Sequence, residues 1–221
     1  MIPHSGQTTP AQHEILERRH PVSRDSRILV AVGMPVGTLR DPLIPSPNMS
    51  IRCSGEFHPV ARTSFALWCA GRAPSPVSTV LHAGARQSGV SQEEVDASLG
   101  KLLEAGLLRQ WRPKSRENRA LLRSLRIVPT GVGLGSIPDD PGTCRIVRDL
   151  ELDSGGGTAF VGGVMYSVWA ASDGAISLEK AAREVVSALE LDEETVWDSI
   201  EQDLPRLLAI RSCYLEVENH G

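Results

Sequence analysis

Gly33-Met-Pro-Val-Gly-Thr-Leu-Arg-Asp41 falls over Gly131-Val-Gly-Leu-Gly-Ser-Ile-Pro-Asp139 when the chain is laid on itself with a shift of 98 residues. Gly33, Gly37 and Asp41 meet identical residues, while Thr38 and Leu39 meet Ser136 and Ile137. Further along, a shift of 101 pairs Trp68 with Trp169, Ala70 with Ala171, Glu93 with Glu194, Val95 with Val196, Ser98 with Ser199, Leu99 with Ile200, Leu103 with Leu204 and Leu107 with Leu208. The difference of three between the two registers is a single loop insertion. A repeat of this length, found twice, indicates duplicated domains rather than a solenoid of short units.

Each copy has the same pattern. Residues 27–32 and 125–129 are short β-rich runs that end in glycine clusters, where positive φ costs glycine nothing. A second strand is expected near Thr38 and Leu39, or Ser136 and Ile137, followed by turns at Asp and Pro. A third is expected at 49–53 and at 144–152. The longer run has no clean polar face, which suits a strand partly covered on both sides. Segments 60–71 and 160–172 are apolar, each with its Trp near the end, and predict a buried helix. Ser91-Gln-Glu-Glu94 and Asp192-Glu-Glu-Thr195 place a capping residue and acids at the start of the last helix. Apolar residues at 95, 99, 102 and 103, and at 196, 200, 204 and 207, then keep helical spacing. Runs 107–111 and 213–217 close the copies as strands. The expected fold is α+β, with two tandem winged-helix-like modules, each a three-stranded antiparallel sheet followed by three helices. Its expected divisions are a disordered polar segment 1–26, a first module 27–111, a basic linker 112–124 helical in its second half, and a second, acidic module 125–221.

The 221 residues suffice for two such domains. The longest apolar run, 161–171, is interrupted by two glycines and is too short for a membrane span. The start lacks the basic and apolar regions of a secretory signal, so a soluble, cytoplasmic protein is expected. Cys53, Cys69, Cys144 and Cys213 are scattered without a Cys-x-x-Cys pair, which fits reduced thiols better than disulfides or zinc. Charge is unevenly divided: residues 1–26 are neutral, 27–111 carry +2, 112–126 carry +5 and 127–221 carry −11. A solvated surface, contact between the halves, or a charged ligand would each account for that split.

No catalytic set emerges. Gly131-Val-Gly-Leu-Gly135 leads into a strand, whereas a dinucleotide loop leads into a helix, and no P-loop sequence is present. His82 has no nucleophile or orienting partner that the sequence can nominate. Glu93-Glu94 and Glu193-Glu194 stand at helix starts, where the dipole explains them. No enzyme activity, cofactor or metal is expected.

A winged helix can bind DNA through its third helix, and a DNA-binding transcriptional regulator is the alternative function. The helix at 91–106 has Lys101 against four carboxylates, and the one at 192–209 has Arg206 against six, so phosphates would be repelled. Only 112–126 is basic, and nucleic acid is an unfavoured partner. The order of elements, with Cys144-Arg-Ile-Val-Arg-Asp-Leu150 leading through Trp169 to Leu208, resembles the PqqD-like family, the RiPP recognition element, in tandem copies of about 85 residues. The second copy's start is also similar to the N-terminal peptide clamp of the microcin C7 adenylating enzyme, whose adenylation domain has no counterpart here. What remains resembles a stand-alone peptide binder of the kind proposed for crocagin biosynthesis. The resemblance implies a non-catalytic protein of natural-product biosynthesis that binds a precursor's leader peptide and recruits it to a modifying enzyme. It also implies docking by strand addition on the third strand, beside the third helix. The positions that match are Ser50, Ile51, Arg52 and Cys53 with Val95, Ser98 and Leu102 in copy one. In copy two they are Arg145, Ile146, Val147, Arg148, Asp149 and Leu150 with Val196, Ser199 and Asp203. The arginines could pair acidic leader residues.

Overall fold

The computed structural model of the chain describes residues 27–39, 48–112, 116–148 and 157–217. Segment 1–26, expected to be disordered, lies outside them. Over the described residues the fold is α+β, with helices and several small antiparallel sheets. The first half runs β1 (Ile28–Ala31), β2 (Met34–Leu39), β3 (Asn48–Cys53), β4 (Glu56–Val60), α1 (Arg62–Ala70), the two-residue β5 (Ser75–Pro76), α2 (Val77–Ser88), α3 (Gln92–Glu104) and β6 (Leu108–Trp111). The connecting helix α4 (Arg116–Arg123) follows. The second half then repeats the order without a counterpart of β5: β7 (Leu125–Pro129), β8 (Val132–Ile137), β9 (Asp140–Val147), β10 (Thr158–Gly162), α5 (Gly163–Ala171), α6 (Leu178–Leu189), α7 (Glu193–Ala209) and β11 (Cys213–Val217).

The strands pair differently from expectation. The first strand of each half leaves the following hairpin and joins the closing strand, β1 with β6 and β7 with β11. β1 also takes β5 on its other side, and the strands that follow form three-stranded sheets of their own, β2-β3-β4 and β8-β9-β10. The apolar reading of 160–172 thus takes in the second part of β10, whereas β4 precedes the expected helix 60–71 except for Val60 and was not expected. Phe160 and Val161 belong to β10, and the helices begin only at Arg62 and Gly163. Between Cys53 and Glu56 the chain reverses through Ser54 and Gly55, both at positive φ, the geometry a two-residue hairpin requires. β9 runs Asp140–Val147 and so starts before the expected 144, while 149–152 of that expectation lie outside the described residues.

The duplicated glycine motif marks the same irregularity twice. The β2-β3 register shifts between Pro35 and Gly37, and the β8-β9 register shifts between Gly133 and Gly135. Gly135 has φ +77°, as bulges of this kind demand. The helices also repeat. Phe65 packs on Trp68 and Tyr166 on Trp169, each with ring centroids 6.0 Å apart. α2 and α6 both end in left-handed residues, Gly89 and Glu190. Ser91 and Glu94 close a reciprocal capping box on α3, and Asp192 accepts the Thr195 N–H at 2.8 Å to cap α7.

One apolar core runs through both halves, from Leu29, Trp68 and Leu108 to Ile127, Val168 and Leu215. The halves are joined by backbone. Val32 forms a parallel bridge with Leu215, the Gly33 N–H donates to the Leu215 carbonyl at 2.7 Å, and the Ser54 hydroxyl donates to the Val217 carbonyl at 3.1 Å.

Candidate functional site

β3 and β9, expected to be the strand-accepting edges, are the middle strands of their sheets and have partners on both sides. Ser50, Ile51 and Arg52 pair with Pro59, His58 and Phe57 on one side and with Gly37, Pro35 and Met34 on the other, so no guest strand can reach their backbone, and Cys53 pairs with Glu56 at the hairpin end. Arg145, Ile146 and Val147 are likewise flanked by β8 and β10. Ser50, Ile51, Cys53, Ile146 and Val147 are buried, Arg52 is half-buried, and Arg145 and Arg148 are exposed. Asp149 and Leu150 lie outside the described residues. Of the expected groove wall, Val95, Leu102 and Val196 are core, while Ser98 and Ser199 are half-buried. Among the described residues the open edges of these sheets belong to β2 and β8 on one side and to β4 and β10 on the other. The edge beside the third helix of the second half is that of β10.

That edge has specific chemistry. In an antiparallel pair, alternate residues turn their N–H and C=O away from the partner strand. On β10 the outward groups are those of Phe160 and Gly162. The Asp203 carboxylate accepts the Gly162 N–H at 2.8 Å, and Arg206 donates to the Phe160 carbonyl at 3.4 Å and to Asp203 at 2.8 Å. Asp203 is only 3% exposed. Its repeat partner is Leu102, equally buried, in α3. The sequence does contain a sign of this arrangement, an Asp at a position whose counterpart is a core leucine. In the first half the matching outward groups are the Phe57 N–H and C=O, the Pro59 carbonyl and the Ala61 N–H. Leu102 and Ala105, which stand where Asp203 and Arg206 do, have no side-chain polar atom to offer them. α3 also packs less on β4 than α7 does on β10.

The charge asymmetry is used within the chain. Arg119 of α4 donates to Glu194, Asp198 and Glu201 of α7, at 2.6, 2.9 and 3.1 Å. Arg123 pairs with Glu193 and lies 5.3 Å over the Trp197 ring. Arg126 pairs with Glu216. Three arginines of the basic segment thus meet carboxylates of the acidic half, and this contact accounts for part of the split in charge. The Arg119 hydrogen bond, with its positive charge, holds the Glu194 carboxyl below its ordinary value of 4.5. A depressed carboxylate stabilises the fold above its unfolded pKa, and that contribution is lost as pH falls through the folded value. Acidification below about pH 4.5 is therefore expected to loosen α4 from α7, read as a change in Trp197 fluorescence. Arg119→Gln should remove this acid step from a pH titration; an unchanged titration would contradict the role given to Arg119.

Other reactive groups are held quiet. Burial pushes the Cys213 thiol up to about 12, and it also raises Cys69 and Cys144. Glu94 serves the capping box, Glu193 accepts the Trp197 indole N–H at 3.2 Å, and His82 is exposed on α2. Among the described residues no group of His, Cys, Asp and Glu could hold a metal ion, and no helix is long and apolar enough to cross a membrane. The chain matches no protein-family model, and neither a curated protein nor a solved structure is significantly similar to it.

Proposed function

We propose that the chain is a non-catalytic binder of precursor peptides, built from two winged-helix-like modules of the RiPP recognition type. It takes the leader of a ribosomally made peptide as an added strand and presents that peptide to a modifying enzyme of the same pathway. The observation that supports this reading is a sheet edge, β4 or β10, whose outward backbone groups alternate as a guest strand requires. A backbone-paired guest gains register from the edge and selectivity from its alternate side chains. Compared with the expectation from sequence, the docking strand moves from β3 and β9 to their outer neighbours. DNA binding is disfavoured because Arg119, Arg123 and Arg126 are already engaged by carboxylates.

The test is fluorescence anisotropy with labelled synthetic peptides taken from short reading frames encoded beside the gene. Saturable binding is expected. A flat titration up to about 50 μM protein, an affinity too weak for recruitment, would overturn the proposal.

A further inference from the structure

We infer that the two copies have divided their roles: α7 closes the β10 edge with its own side chains, and an extended peptide docks only on β4 of the first half. This rests on the peptide-binding reading and adds which copy performs it. Asp203 supplies an acceptor to the Gly162 N–H, and Arg206 supplies a donor to the Phe160 carbonyl. Acceptor and donor, at this spacing, are what the backbone of a guest strand would present there. The second edge is thus occupied from within, and a peptide would have to displace a buried, hydrogen-bonded carboxylate to reach it. Displacing such a group without replacing its bonds is costly.

The first half has the same backbone groups and lacks the latch. The Pro59 carbonyl and Ala61 N–H correspond to those of Phe160 and Gly162, and among the described residues no hydrogen bond reaches them. Leu102 stands in place of Asp203, and α3 packs less on β4 than α7 does on β10. Phe57, 54% exposed on this strand, offers an apolar surface to the guest. The occupant that fits is an extended peptide, aligned by backbone hydrogen bonds to Phe57, Pro59 and Ala61.

Ala61 permits a clean test. Its φ is −63° and its side chain makes no cap, so proline fits without strain and removes only the outward N–H. The probe is the most enriched member of a displayed library of random short peptides, selected on the full chain and labelled. Ala61→Pro is expected to weaken its binding by about tenfold or more, the loss of one backbone bond and its alignment. Arg206→Ala should leave the affinity unchanged. In the free protein, amide hydrogen exchange should be slow at Gly162 and fast at Ala61, with the Phe57 and Ala61 amides slowed when peptide is added. If Ala61→Pro binds normally while Arg206→Ala alters the affinity, or if added peptide protects β10 and not β4, the division of roles is overturned and peptide binding stands. If no peptide enriches, both fall.

Discussion

Replacing Arg126 with methionine is expected to destabilise the protein by about 3–5 kcal/mol, the cost of leaving a buried charge without its partner. Arg126 on β7 stands directly across from Glu216 on β11, with a 2.8 Å contact between guanidinium and carboxylate. The side chains are 15% and 8% exposed, so water cannot take over when either is removed. The second Glu216 oxygen already has no hydrogen-bond partner among the described residues, which makes the one remaining contact decisive. Urea unfolding at constant slope would report the loss as a lower midpoint. The double variant Arg126→Met with Glu216→Leu should recover most of it, because a well-packed apolar pair often equals or exceeds a buried ion pair. A single variant that loses less than about 1 kcal/mol would mean that the pair behaves as a surface salt bridge.

The second large effect is expected at Gly33, the first residue of the duplicated motif. Gly33 has φ +93°, and a Cβ there would lie 2.6 Å from the Arg52 carbonyl oxygen. Backbone cannot yield as a side-chain tip can. Gly33→Val therefore combines a strained dihedral, about 1–3 kcal/mol, with a collision against β3, and the total should reach about 3 kcal/mol or more. Because the Gly33 N–H donates to Leu215 of the other half, the damage should spread to the joint. Limited proteolysis should then cut between the halves at protease levels that spare the parent. Gly55 is the control. It also has positive φ, but an added Cβ would meet nothing within 4 Å, and Asn tolerates that conformation. Gly55→Asn should melt within about 0.5 kcal/mol of the parent.

These two sites differ in how well the sequence announced them. Gly33 was visible in the repeat, since a glycine that recurs beside a strand marks a backbone demand. Its clash with Arg52 was not, because the two residues are far apart in the chain and only pairing brings them together. In the sequence Arg126 is one more cation of the basic stretch 112–126, on the expected strand 125–129. Its partner lies ninety residues away, and no local pattern connects them.

The same division runs through the candidate site. Helix caps at Ser91 and Asp192, the Trp-bearing apolar helices and the acidic face of α7 are short-range features, fixed by hydrogen bonds and periodicities within a few residues. Those were legible, and they carried the duplication and the α+β class. Strand neighbours were not legible. An apolar run such as Ala159-Phe-Val161 reads equally as helix or strand, and its membership of β10 was decided by pairing with Cys144 and Ile146. Likewise the sequence could place Asp203 on a helix. Only tertiary packing brought it to the Gly162 N–H, because the cost of burying a carboxylate is met there by a backbone donor from another element. By itself, then, the sequence determined a doubled α+β chain with capped, acidic third helices. The tertiary structure decided which strands are edges and which edge is closed, since strand pairing depends on contacts between residues distant in the chain.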